Sequence, residues 1–454
     1  MTQSVTQSVT QSVTDLTGRR LQALVAKEQS SARLPSLVAG VVRDGALVWS
    51  GTHGGQTGGI PPSSDTQYRI GSITKTLTAV LIMQLRDEGK LDLGDRVDVH
   101  LPGIGYGDRT IRTLLSHTSG MQSEPVGSWW ERSPGRTFDE LAAAIDESQG
   151  PFPVGHTFHY TNLAYGLLGE VVARLRGSTW WDQVEQRILQ PLAMHRTSHL
   201  SEPPAATGYS VHQFAGTLSE EPSPDTGAMA PAGQVWSTVE DLARYAGFLV
   251  SGHDDVLSSA TLDEMTIPQS GSLEAGSSSG YGLGLYMVAD SSRTVSGHTG
   301  SMPGFLAALF VDRVRRTAAL CLANGTHGLR VDGLPLDLLS ALEELEPTIV
   351  DAWTPTEDVP TSVAEILGLW HWGNTAHTFA FDGDRVLVSR LGAVEPSHTF
   401  GWQDDGTFVG TSGYHHGETM RVVRNEDDTI NHLVCATFIY TRVPYDPAAP
   451  IPEG

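Results

Sequence analysis

Stretches of helical apolar period alternate along the chain with stretches of two-residue period, and the switches mark out its elements. Leu16, Leu21, Leu24 and Val25 recur at roughly helical spacing between Asp15 and Gln29, which predicts an opening amphipathic helix. Leu37 to Val42 and Ala46 to Ser50 flank Arg43-Asp44-Gly45 and read as two strands joined by a tight turn. A glycine-rich passage from Gly54 to Ile60 leads into Ser72 and a helix reaching Gly89, a suitable C-cap. Gly89 to Asp95 reads as a connector, and Ile111 to Gly120 as a short helix ending in a turn. Leu163 to Arg174, Trp180 to Leu189 and Val239 to Val250 predict further helices, with a polar, proline-dotted surface loop from Ser201 to Thr226. Leu283 to Val288, Thr294 to Gly297, Phe305 to Val311 and Thr317 to Asn324 read as strands, closed by a helix from Leu334 to Leu345. This order of elements predicts an α+β first domain over residues 15–346.

Pro347, Pro355 and Pro360 then interrupt any regular period, which predicts a linker over residues 347–361. Beyond it, short alternating runs recur at Thr378-Phe381, Arg385-Val388, Phe408-Val409, Met420-Val423 and Leu433-Tyr440. Turn signals such as Asp382-Gly383-Asp384 and Asp404-Asp405-Gly406 separate them, so residues 362–454 are expected to form a small antiparallel β-barrel. At the other end, residues 1–14 carry Thr-Gln-Ser-Val three times and are expected to be a disordered lead-in. That segment lacks the basic start and apolar core of an export signal, so the expected location is cytoplasmic.

Composition narrows the partners. With 454 residues the chain suits two or three domains, and its net charge of -23, from 29 Lys+Arg against 52 Asp+Glu, argues against nucleic acid or an anionic membrane. No apolar run of about 18 residues is present, so no membrane span is expected. Cys321 and Cys435 lie far apart in apolar stretches and read as buried packing residues. His415-His416 has no evident Glu-x-x-His or cysteine partner, so neither a metal site nor a cofactor is expected. Oligomeric state stays open.

The chemistry centres on Ser72-Ile73-Thr74-Lys75. A serine and a lysine three apart share one helical face, and an amine pressed against an apolar helix start loses hydration, which lowers its pKa. It can then take the serine proton at neutral pH, while the helix N-terminus favours the developing alkoxide. By chance alone Ser-x-x-Lys is common, so other residues have to support it. Tyr160-Thr161-Asn162 precedes an apolar helix; a phenol near a lysine can pass a proton to a leaving group, and an amide can hold a carbonyl. His298-Thr299-Gly300-Ser301 sits on a predicted strand whose glycines would let a substrate backbone pair along its edge.

In this order the three groups resemble the penicillin-recognising serine enzymes: class C β-lactamases, DD-peptidases, D-aminopeptidases and related esterases. The likeness runs from about Leu34 to Asn324, supported by Tyr68-Arg69-Ile70-Gly71-Ser72, Leu114 to Gly120 and Leu189 to Met194. It implies a β-lactamase-like fold, with an antiparallel sheet flanked by helices plus an all-helical region. It also implies that Ser72 is the acylated nucleophile, Lys75 its base together with Tyr160, and Asn162 the holder of the substrate amide. His298, Thr299 and Gly300 would stand where many members have Lys-Thr-Gly, with the backbone N–H groups of Ser72 and Ser301 as the oxyanion hole. Histidine in place of lysine, expected to be only partly charged near neutrality, resembles the esterase, D-aminopeptidase and peptidyl-thioesterase branches. No acidic deacylating base is evident, so weak or no β-lactamase activity is expected.

The C-terminal segment resembles the lipocalin-like barrels appended to some members. In the thioesterase branch, which releases or cyclises nonribosomal peptides ending in a D-residue, an arginine of that barrel is thought to read the substrate carboxylate. Arg442 is the corresponding candidate here, against the plain alternative of an arginine closing the last strand. Trp129-Trp130 and Trp180-Trp181 are candidates for an apolar acyl pocket, though tryptophans more often serve core packing. The expected function is a serine hydrolase or acyltransferase on a peptide amide, ester or thioester, including a carrier-bound thioester, against a ligand-binding member with little turnover.

Overall fold

The computed structural model describes residues 12–55, 61–272, 278–289, 292–349, 352–446 and 448. Most of the N-terminal repeat therefore lies outside the described residues. The chain divides into two compact units, Met1–Thr348 and Ile349–Gly454.

The first unit is built on an eight-stranded antiparallel sheet. From one edge its strands run Ala46–Gly54, Ser36–Arg43, Thr317–Ala323, Phe305–Asp312, Thr294–Met302, Tyr286–Ala289, Ser278–Tyr281 and Ser270–Ser272. The first hairpin therefore pairs with strands nearly 300 residues later: Leu37 faces Ala323 and Val42 faces Ala318. The central strands are buried on both faces, which is why they read as continuous apolar runs rather than as alternation. The two-residue period survives as two cores. Leu37, Ala39, Val41, Ala308, Phe310, Ala319 and Cys321 pack towards the Asp15–Ala32 and Gly333–Leu345 helices. Val38, Val42, Ala307, Leu309, Ala318, Leu320 and Leu322 pack on the other face with the Val239–Ser251 helix and a larger helical region.

That helical region holds the Thr74–Asp87 and Asn162–Arg176 helices. Every residue from Thr74 to Leu85 is buried, so this helix runs through the core with its polar members Thr74, Lys75, Thr76, Thr78 and Gln84 enclosed as well. Two expectations change in detail. The helix predicted from Trp180 to Leu189 is α-helical only to Val184 and continues as a π-helical turn over Glu185–Leu189. The surface loop from Ser201 to Thr226 contains a small hairpin, Tyr209–Val211 with Leu218–Glu220.

The second unit is a closed barrel of eight antiparallel strands in sequential order, from Gly368–Trp372 to Phe438–Thr441. Closure leaves no sheet edge exposed. The single run expected from Leu433 to Tyr440 is two strands, Ile430–Cys435 and Phe438–Thr441, separated at Ala436 with φ +51°. Val363 and Ile366 of a short preceding helix join Trp370, Phe379, Phe400 and Tyr440 in the barrel core. His415 is also not isolated: Glu418 and Cys435 lie beside it, which corrects the expectation that it has no acidic or cysteine partner.

Leu320 lies at the centre of the first unit's sheet with no exposed surface. Leu320→Ala is expected to cost about 2–5 kcal/mol, because rigid neighbours cannot fill the space left. Calorimetry should show it as a lower Tm for the first unit's transition.

Candidate active site

Ser72 sits where the central helix meets the sheet. Gly71–Ile73 forms a 3-10 turn that runs directly into the Thr74–Asp87 helix. From Gly71 to Leu85 every residue is buried except Ser72, which is partly open. Two glycines make this junction possible. Gly71 has φ +53°, and a Cβ there would lie 2.5 Å from the backbone nitrogen of Ser301. A Cβ on Gly300 would lie 2.0 Å from the Ile70 carbonyl oxygen. The serine turn and the Thr294–Met302 strand therefore touch backbone to backbone.

Lys75 is wholly buried, and its Nζ reaches three oxygens: Ser72 Oγ at 3.0 Å, Asn162 Oδ1 at 2.6 Å and the Ala232 carbonyl at 2.7 Å. These match the three donors of an ammonium. Burial nevertheless pushes its pKa down to about 7, against the opposing pull of the Glu124 and Glu131 carboxylates. At neutral pH a large fraction of the amine is neutral, with a lone pair available to the Ser72 proton 3.0 Å away.

Asn162 opens the Asn162–Arg176 helix behind the N-cap Thr161, whose hydroxyl accepts from Ala164 N and donates to the Gln122 carbonyl. Its Oδ1 takes the Lys75 hydrogen bond and its Nδ2 donates to Glu124 Oε1 at 2.6 Å. That leaves one amide N–H for a substrate carbonyl. The Tyr160 ring lies 4.8 Å from Lys75 Nζ, and its buried hydroxyl has no well-aligned hydrogen bond. Burial raises its pKa more than the nearby Ser72 hydroxyl lowers it. Tyr160 is therefore a neutral phenol, with a proton to give rather than to take.

His298 departs from expectation. It is buried, and burial together with the nearby Lys75 pushes its pKa down to about 3, so it is neutral rather than partly charged. Its Nδ1 lies 2.5 Å from the Thr299 carbonyl, which requires the proton on Nδ1. Nε2 then accepts from the Tyr281 hydroxyl at 3.0 Å. Thr299 follows it, partly open, and Ser301 is exposed on the same strand. Arg442 belongs to the barrel unit. There its guanidinium donates to the carbonyls of Glu365, Leu367 and Leu369 and stacks 3.8 Å from the centre of the Trp370 ring. Those contacts suit the plain alternative, an arginine that closes the last strand.

Sequence reasoning missed several members of the site. Glu124 holds Asn162 with one oxygen and the Trp130 indole N–H with the other, at 2.6 Å each. Glu131 is a second acid acting on Lys75. His117, neutral and buried, stacks 4.2 Å from Tyr160 and accepts the Thr161 N–H. The run Leu114 to Gly120 was the one signal available for it. Of the first tryptophan pair only Trp130 lines a cavity, one of about 360 Å³ with Pro125, Leu141 and Met229, whereas Trp180 and Trp181 both line one of about 610 Å³. Trp180 also donates to Thr78, a core contact.

Activity is expected to rise as pH passes upward through about 7, the range in which Lys75 loses its proton, and then to flatten. In Glu131→Gln the carboxylate no longer favours the ammonium, so the rising limb should move to lower pH in a kcat/KM profile. Tyr281→Phe leaves His298 Nε2 without a donor and should lower kcat several-fold, a change read from initial rates.

Residues 21–342 match the Beta-lactamase family, and residues 359–442 match a domain of unknown function, DUF7586. Penicillin-binding protein 4 of Amycolatopsis lactamdurans is 30% identical over 69% of this chain and 86% of its own length. The chain spans only 48% of β-lactamase-like protein 2 of Dictyostelium discoideum, with 27% identity over 55% of this chain. Among solved structures, a D-stereospecific amidohydrolase from a Streptomyces species superposes with TM-score 0.61 and 26% identity over 73% of this chain and 99% of that one. SurE with D-Leu gives TM-score 0.58 and 25% identity over 94% of this chain and 100% of that one. With Ser72 and a buried Lys75 in hydrogen-bond contact, the chain belongs to the β-lactamase and penicillin-binding-protein-like serine hydrolase family.

Proposed function

We propose that this protein hydrolyses amides or esters of D-amino-acid-containing peptides through an acyl-enzyme on Ser72. The observation that carries the reading is Lys75 Nζ, buried with its pKa lowered to about 7 and 3.0 Å from Ser72 Oγ. The neutral amine takes the Ser72 proton as the oxygen attacks the carbonyl; the N–H groups of Ser72 and Ser301 hold the oxyanion; Tyr160 passes the proton to the leaving group. Water then releases the acyl group. The amidohydrolase likeness supports a D-residue on the acyl side.

Electrostatics narrows the substrate further. His298 is neutral, so the strand offers no fixed cation to a terminal carboxylate. Glu124 and Glu131 make the surroundings of Lys75 acidic, which favours substrates bearing a free ammonium. A D-aminopeptidase or D-amidase fits these features better than a carboxypeptidase or a β-lactamase. The second reading, release or cyclisation of a peptidyl thioester with a D-residue terminus, draws support from the SurE likeness, which extends over both units.

Wild type should take up a fluorophosphonate label that Ser72→Ala does not. D-aminoacyl p-nitroanilides should turn over faster than their L-isomers and their N-acetylated forms, with nitrocefin a poor substrate. Turnover of D-terminal peptidyl thioesters alone would replace the first reading by the second, and a Ser72-independent label would remove both.

A further inference from the structure

The barrel carries a second cluster of reactive side chains that acyl transfer does not use. In the turn between the Phe408–Gly413 and Thr419–Arg424 strands, His415 Nδ1 lies 2.7 Å from Glu418 Oε2. Cys435 ends the Ile430–Cys435 strand, which pairs Cys435 with Met420, and its Sγ lies 3.8 Å from the same Glu418 oxygen. One nitrogen, one oxygen and one sulfur thus fall within 4.8 Å of one another. His415 and Cys435 are fully buried, whereas Glu418 keeps 43% of its side chain exposed, so the cluster has a solvent-facing side.

These groups have more lone pairs than partners. His415 Nε2 is buried with no hydrogen-bond partner, and buried polar atoms are seldom left so. The rings of Phe400, Tyr414, Phe438 and His398 surround the imidazole.

We propose that His415, Glu418 and Cys435 bind a divalent transition metal, with zinc the best match, leaving a fourth position to water. Imidazole, carboxylate and thiolate together suit zinc, whereas calcium and magnesium take oxygen ligands. Zinc bonds of about 2.0–2.3 Å place tetrahedral donors roughly 3.3–3.8 Å apart. The present spacings of 2.7 and 3.8 Å reach that with small side-chain movements. On binding, the Cys435 proton leaves to solvent, and His415 gives up the Nδ1 proton it donates to Glu418 and carries one on Nε2 instead, so the imidazole stays neutral.

Cobalt reads the site directly in the untagged, chelator-treated full chain. One equivalent of Co²⁺ should give tetrahedral visible bands and a near-ultraviolet thiolate charge-transfer band, both bleached by Zn²⁺. Cys435→Ser should lose the charge-transfer band and Cys321→Ser should keep it. Glu418→Gln, at a half-exposed position that leaves the fold intact, should weaken binding about tenfold or more. No charge-transfer band in wild type, a band that survives Cys435→Ser, or unchanged affinity in Glu418→Gln would each overturn the proposal.

Discussion

The catalytic unit depends on how one amine is buried. Lys75 Nζ is held by oxygens from three separate parts of the chain: the serine turn, the start of the Asn162–Arg176 helix and the short Ala230–Gly233 helix. Taking an ammonium out of water is costly, and here that cost exceeds the attraction of two carboxylates, so the pKa comes to about 7. A carboxylate in direct contact with Nζ would hold the proton and remove the base. With no carboxylate near, the amine would be neutral over a wider range and too weak a base to be useful. Indirect placement, with Asn162 between Lys75 and Glu124, gives a middle value.

The same arrangement ties the site to its surroundings. Glu124 joins Asn162 to Trp130, so one carboxylate connects a wall of the 360 Å³ cavity, through Asn162, to Lys75. On the sheet side, Gly71 and Gly300 bring the serine turn and the strand together without side chains between them. Loss of either glycine would separate Ser72 from Ser301 before it changed any polar group.

Much of this was legible in the sequence because it rests on local spacing. Ser72 and Lys75 are one turn apart, Tyr160 and Asn162 flank a helix start, and the central strands are apolar enough to be recognised without alternation. What escaped lacks such a signal. Ser270–Ser272 and Ser278–Tyr281 are strands of serine and glycine apart from the buried Tyr281, and they pair with each other and, for the second, with Tyr286–Ala289. Glu124 and Glu131 lie in an irregular segment, and only the fold brings them near Lys75. Cys435 and His415 are 20 residues apart and meet because two hairpins of the barrel end at one place.

Burial also explains why a histidine can stand at position 298. A lysine there would put a permanent cation in the field of Lys75, and two buried cations oppose each other's charge. Lys75 has Glu124 and Glu131 to favour its proton; His298 is given a carbonyl and a hydroxyl instead, and so gives way. The proton in dispute therefore stays with Lys75, and burial and the two glutamates are the largest influences on its affinity. A neutral residue at 298 keeps the base near neutral pH, and for the same reason gives up the fixed charge that a substrate carboxylate would need.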